Sequence, residues 1–278
     1  MLATLNDVLP KAQAGHYAVG LFNATDSDML EAVIGAAEEL RSPIILGTAE
    51  ILLPYGELSL IAPGLIAAAK RATVPVVVHY DHGLTLERCE EALSLGFSSI
   101  MFDGSAHDYE TNVALTRRAA AMAHSFGASI EGEIGHVGDA CDDAQLSGMY
   151  TTPEEAVEYL EKTGVDALAV AIGTAHGVYK KKPMLNVARL REIRAEVGAP
   201  LVLHGGSGLS DDDFRNTIAA GIAKVNIFTD LCLAGERAMA EGLAENIGYL
   251  EIRNRKVAAI KAEVEKKIRL FGSAGMAD

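Results

Sequence analysis

Three of the eight histidines, His82, His176 and His204, each stand beside a glycine at the end of a short apolar run. Three imidazoles that leave coordination positions open are what a catalytic Zn²⁺ takes, provided the fold brings them together. One such histidine alone is more often a hydrogen-bonded structural residue. Acidic side chains crowd the same kind of position, in His79-Tyr80-Asp81-His82-Gly83, Asp103-Gly104-Ser105 and Glu131-Gly132-Glu133. Gly205-Gly206-Ser207-Gly208 and residues 226–229 each run from an apolar stretch toward a helix start. Glycines there let backbone N–H groups approach anionic oxygens, and a helix N-terminus adds a favourable dipole. The ordinary readings are turn-forming glycines and helix-capping acids, as at Asp211 after Ser210; His16, His107 and His124 read as structural. A phosphate held beside a metal means phosphosugar chemistry.

The elements that must position these residues recur along the chain. Apolar, β-branched runs at 17–22, 43–46, 76–80, 99–102, 129–133, 167–172, 201–204 and 224–228 predict strands buried on both faces. Amphipathic segments separate them, for example 27–40, 84–95, 110–126 and 153–163. Gly96, Gly127, Gly164, Gly198 and Gly221 fall where helices should stop. Eight strand–helix units predict one (β/α)₈ (TIM) barrel domain over residues 1–278, with a charged helical tail at 251–270 packed outside it or on another subunit. A dinucleotide-binding sheet would need GxGxxG after its first strand, and Phe22-Asn-Ala-Thr-Asp-Ser offers none. In a barrel the polar strand ends gather at one mouth, and the loops after strands seven and eight are the usual phosphate site.

Composition narrows the classes. The chain is 49% hydrophobic and 22% charged, within the ordinary globular range. A net charge of −14 argues against general nucleic-acid binding, which needs a basic stripe, and Lys180-Lys181-Lys182 is a lone basic cluster. No apolar stretch reaches membrane-spanning length and no basic leader opens the chain, so a cytoplasmic protein without membrane contact is expected. The three cysteines are scattered and form no CxxC pair. Schiff-base chemistry would need a lysine projecting into the barrel; the predicted strands five to seven carry none, and Lys224 reads as the start of the eighth, at the wrong end.

Six linked motifs, in order along the whole chain, resemble the class II fructose- and tagatose-bisphosphate aldolases. They are His79-Tyr80-Asp81-His82-Gly83, Phe102-Asp103-Gly104-Ser105, the run from Glu131 through Gly138, Ala175-His176-Gly177-Val178-Tyr179-Lys180, Leu203-His204-Gly205-Gly206-Ser207-Gly208 and Val225-Asn226-Ile227-Phe228-Thr229-Asp230. The resemblance implies that His82, His176 and His204 hold zinc, which cobalt or manganese can replace, with room for a monovalent cation. It implies that Asp81 is the general acid/base at the hydroxyl of the bond being cleaved, with Asp103 and Glu133 near the metal. Dihydroxyacetone phosphate would be held by Gly177, Lys180, Gly205, Gly206, Ser207, Asn226, Ile227, Phe228 and Thr229. A second proton carrier would come from the loop after strand five, as Asp142 or Asp143. A homodimer or homotetramer is implied as well. The expected reaction is reversible cleavage of a phosphorylated ketose into dihydroxyacetone phosphate and an aldehyde, through an enediolate stabilised by the metal. A metal-dependent sugar-phosphate epimerase or isomerase, and a catalytically silent scaffold, are the competing readings.

The sequence departs from the bisphosphate pattern on the acceptor side. The Asp-Pro-Arg context that reads a second phosphate is absent, leaving Arg253 or Arg255 as substitutes, and Phe228 stands where fructose-bisphosphate aldolases tend to carry an acid. The expectation is an intact donor half and an altered aldehyde acceptor.

Overall fold

A strand covered by helices on one side and by its own barrel on the other has no solvent face, so its residues can be apolar at every position. That is the pattern of the computed structural model, which describes residues 1–135, 150–175 and 183–278. The eight apolar runs form β2 (Val19–Asn23), β3 (Ile44–Ala49), β4 (Val76–Gly83), β5 (Ser99–Phe102), β6 (Ser129–Ile134), β7 (Ala167–Val170), β8 (Leu201–Leu203) and β9 (Ile222–Ile227). All neighbours pair in parallel, β2 pairs with β9, and β4 pairs with β5, so the sheet closes on itself. Closure makes this a (β/α)₈ barrel and removes the open-sheet alternative.

Helices α2 (Ser27–Glu39), α3 (Leu58–Arg71), α4 (Leu86–Leu95), α5 (Tyr109–Ser125), α6 (Pro153–Thr163), α7 (Val187–Glu196), α8 (Asp211–Ala219) and α9 (Thr229–Ala244) follow the strands in turn. Side chains cap their starts, and at α8 the cap is Ser210, with Asp211, the acid expected to cap, as the first helical residue. Thr152 and Ser210 form capping boxes with Glu155 and Asp213, and Asp26, Thr85 and Asp108 accept from first-turn N–H groups. Gly96 and Gly164 end their helices in the left-handed conformation. Gly198 does not: α7 stops at Val197 in extended backbone.

Two elements at the start of the chain lie outside the sequence expectation. Leu2–Ala3 (β1) pairs with the start of β4, and α1 (Leu5–Ala14) follows it. Leu5, Val8, Leu9 and Ala12 of α1 pack with Val19, Leu21, Ile45, Val77, Ala167 and Val202 from the barrel interior. The helix thus plugs the end where the strands begin, and the opposite end is the mouth. The C-terminal helix α10 (Tyr249–Phe271) lies against α9 and α2 of its own barrel, burying Ile260, Val264, Ile268 and Phe271. Among the described residues no helix is long and apolar enough to cross a membrane.

Candidate active site

Side chains in a strand alternate between faces, so polar residues two apart point the same way, one layer above the other. Three strands carry such pairs: His79 and Asp81 on β4, Glu131 and Glu133 on β6, Lys224 and Asn226 on β9. The lower member of each is wholly buried. Lys224 Nζ lies 2.7 Å from Glu131 Oε2 and donates to Asn226 Oδ1 at 2.7 Å, and His79 Nδ1 lies 2.8 Å from Ser99 Oγ. Lys224 is therefore the third residue of its strand and projects into the barrel, contrary to the sequence expectation. Its ammonium is engaged by Glu131 and Asn226 beneath the mouth, with no open approach for a carbonyl carbon.

The upper members form the site. Asp81 is 2% exposed and accepts from Asn23 Nδ2 at 2.9 Å and from Asn226 Nδ2 at 3.1 Å. The next residue should face away. Instead the β4–β5 register shifts between Tyr80 and Gly83, and His82 adopts φ +47°. A β-substituted residue in the left-handed region costs about 1–2 kcal/mol, and such strain concentrates at functional sites. It lets two consecutive residues serve one site: the His82 ring centroid lies 4.7 Å from that of His204.

Carboxylates hold both rings. Asp103 Oδ2 sits 2.7 Å from His82 Nδ1, and Asp103 is itself fixed by the Ser105 N–H and hydroxyl. A carboxylate on one ring nitrogen is the pairing that orients a metal-binding imidazole. His204 lies between Glu131 Oε1, 2.7 Å from Nε2, and Glu133 Oε2, 2.9 Å from Nδ1. Ligand atoms of Asp81, His82 and His204 lie within 4.8 Å of one another, as do those of His82, Asp103 and Glu133. The two groups share His82, and imidazole with carboxylate is a donor set that fits a divalent cation. His176, the remaining expected ligand, lies outside the described residues, as do Gly177, Lys180, Asp142 and Asp143.

The electrostatics follow the geometry. Burial lowers the His204 pKa, but hydrogen bonds and charge from Glu131 and Glu133 outweigh it and push it up to about 10. His82 is raised because Asp81 and Asp103 overcome its burial. For Asp81 burial works upward, and the His82, Lys224 and His204 charges overcome it, holding the carboxyl well below the usual range. Glu131, also buried, is lowered to about 2 by Lys224 and His204. His79 falls to about 3 through burial and the nearby Lys224 charge, so that ring is neutral.

The two glycine-rich turns meet beside this cluster. Gly205 has φ +63°, and a Cβ there would stand 2.3 Å from the Ala175 carbonyl oxygen, so no larger residue fits. The Ser207 hydroxyl accepts from the Phe228 and Asp230 N–H groups at 3.3 and 3.4 Å, joining the turn after β8 to the start of α9. A Cβ on Gly206 would lie 2.8 Å from the Asn226 carbonyl oxygen. Thr229 begins α9; the Ile227 side chain is buried in the outer core and the half-buried Phe228 ring packs against it. Arg253 and Arg255, the expected substitutes for a distal-phosphate reader, both stand on α10, where Arg253 is paired with Asp28 and Glu31 and Arg255 with Glu245.

Fold and site together define a barrel enzyme with a cation-competent acid–base centre at its mouth. The family model described as fructose-bisphosphate aldolase class-II matches residues 3–276, and the chain belongs to that family. It is an aldolase, a carbon–carbon lyase. The chain is 41% identical to the uncharacterized protein YdjI of Escherichia coli K12, over 100% of both chains. It is 39% identical to a fructose-bisphosphate aldolase of Geobacillus stearothermophilus, over 99% of each, and 38% identical to a 6-phospho-5-dehydro-2-deoxy-D-gluconate aldolase of Shouchella clausii, over 97% of this chain and 94% of that one. The crystal structure of the E. coli YdjI aldolase superposes with a TM-score of 0.92 at 39% identity, covering 100% of both chains.

Proposed function

We propose that this aldolase is metal-dependent and cleaves a phosphorylated ketose into dihydroxyacetone phosphate and an aldehyde. The observation that carries the reading is the meeting of Asp81, His82 and His204 ligand atoms within 4.8 Å at the barrel mouth. His82 Nε2 and His204 Nδ1 would hold zinc together with His176, and Glu133 and Asp103 would orient or supplement them. When bound, the cation supplies Lewis-acid stabilisation of the negative charge that develops on the ketose oxygens. Asp81 takes the proton from the hydroxyl at the bond being cleaved and returns it in the reverse direction. Its depressed pKa keeps it ionised, and the two asparagine amides fix its rotation. Ser207, Gly205, Gly206, Asn226 and the N-terminus of α9 seat the phosphate-bearing half, where backbone donors suit an anion. Asp142 or Asp143 handles the proton at the new carbon acid.

The acceptor half differs from a bisphosphate site. Both arginines able to replace the missing distal-phosphate reader are ion-paired with carboxylates, which supports an unphosphorylated or differently charged aldehyde. Zinc-loaded enzyme should release dihydroxyacetone phosphate, read by a coupled dehydrogenase, with higher kcat/KM on ketose monophosphates than on fructose- or tagatose-1,6-bisphosphate. A chelator should abolish the signal and added Zn²⁺, Co²⁺ or Mn²⁺ restore it. Ketose consumption without released dihydroxyacetone phosphate would make the enzyme an isomerase, and a clear bisphosphate preference would remove the altered-acceptor reading.

The pKa directions predict how the cation is taken up. Metal must displace the protons held on His204, at about 10, and on His82, which is also raised. Apparent zinc affinity, corrected for the competing chelator, should therefore rise between pH 6 and 8, by about tenfold per pH unit for each proton displaced. A flat profile would show that these imidazoles do not bind it.

A further inference from the structure

We propose that Lys224 is a positioning residue that couples the cation-binding half of the site to its proton-carrying half. The inference rests on His204 acting as a ligand and Asp81 as the proton carrier. Lys224 is wholly buried and stands one layer beneath the mouth, so it acts only through its two partners.

The first arm runs through Asn226. An ammonium can only donate, so the amide oxygen of Asn226 must face Lys224 Nζ, at 2.7 Å. The amide nitrogen is then turned to Asp81, 3.1 Å from Oδ1. Without the lysine the amide can flip and place its oxygen against the carboxylate. Asn23 would then hold Asp81 alone, through Oδ2.

The second arm runs through Glu131. One carboxylate oxygen lies 2.7 Å from Lys224 Nζ and the other 2.7 Å from His204 Nε2. Glu131 thereby accepts the Nε2 proton, which leaves Nδ1, the nitrogen beside Glu133, as the one offered to a cation. Lys224 also balances the Glu131 charge. Removing it leaves Glu131 and Glu133, both wholly or almost wholly buried, flanking one imidazole. Without its countercharge the Glu131 carboxylate is an uncompensated buried charge, and it no longer stays fixed on His204 Nε2, the contact that sets which ring nitrogen is offered.

The two arms separate experimentally. Lys224→Met should weaken zinc binding to the metal-free protein by about 10–100-fold and lower kcat by a similar factor. In Lys224→Met/Glu131→Gln the charge is balanced again, and the glutamine oxygen still accepts from His204 Nε2. Zinc affinity should return to near the wild-type value while kcat stays low, because Asn226 has lost its anchor. The measurements are zinc competition titrations on metal-free protein, kcat with saturating zinc, and thermal melts to establish folding. Wild-type zinc affinity and kcat in Lys224→Met would overturn the proposal. So would full recovery of kcat in the double variant, since Lys224 would then only balance charge, and so would failure of both variants to fold. Should the single variant alone fail to fold, the double variant decides on the same two readouts. A wild-type enzyme that cleaves no ketose phosphate, beside a Lys224→Met variant that still loses zinc affinity, would sink the substrate reading and leave the His204 arm standing.

Discussion

Asp81→Ala is expected to lower kcat by about 10³-fold, within the range for a general acid/base, while zinc stays bound. That loss corresponds to about 4 kcal/mol of transition-state stabilisation. The expectation comes from how the carboxylate is held. It is almost fully buried, yet the charges of His82, Lys224 and His204 keep it ionised, and two asparagine amides aim it into the mouth. A base so placed needs no reorganisation when the proton moves. Alanine leaves the Asn23 and Asn226 nitrogens without their acceptor, which should cost about 1–3 kcal/mol of stability. The thermal midpoint should drop modestly while the zinc content of the purified variant stays near one per chain. Because the carboxyl pKa is depressed, protonation of Asp81 should not limit wild-type kcat anywhere above pH 5. Loss of metal in step with loss of turnover would instead make Asp81 a ligand, which its place in the cluster permits geometrically. Zinc content measured beside kcat decides between them.

What the sequence discloses about this site depends on whether a signal is local. The strands are legible because continuous apolar runs have few other uses, and the helix starts because their capping residues lie within one turn. The strand ends are legible too, since His82 and His204 stand where the apolar runs stop. The lower layer was written in the sequence but in a different period: His79/Asp81, Glu131/Glu133 and Lys224/Asn226 are each two residues apart, so all six side chains must point inward once the strands form. Strand ends alone give no role to Asn23 or Glu131, and they set Lys224 at the wrong end because β9 begins at Ile222. The left-handed backbone at His82 had no local marker, since glycine is the residue that ordinarily announces it. Helix α1 is amphipathic, but its apolar face meets residues from strands across the whole barrel, and that partner set exists only after closure. Gly198 shows the opposite failure, a helix-stop residue at the expected place whose helix ended one residue earlier without a left-handed turn.

His204→Ala should produce the largest combined effect, because in the proposed site this side chain is a cation ligand as well as the countercharge for two buried acids. As a ligand its loss should exceed the 10–100-fold drop in metal affinity typical of an outer partner, leaving protein that purifies without zinc and has no measurable turnover. As a countercharge it acts even in metal-free protein. Glu131 keeps Lys224, but Glu133 loses the imidazole 2.9 Å away. Breaking a buried pair by removing one partner costs about 3–5 kcal/mol, so the metal-free variant should melt well below metal-free wild type at pH 7. The pH dependence carries a definite sign. The folded-state pKa of His204 is raised to about 10, above the ordinary imidazole value near 6.5, so its contribution is complete below about pH 6.5 and disappears as the pH passes 10. The gap between the two melting curves should therefore narrow as the pH rises from 6 to 10. A gap that widened instead would mean that His204 sits neutral between the two glutamates, and the charge balance argued for this site would be wrong.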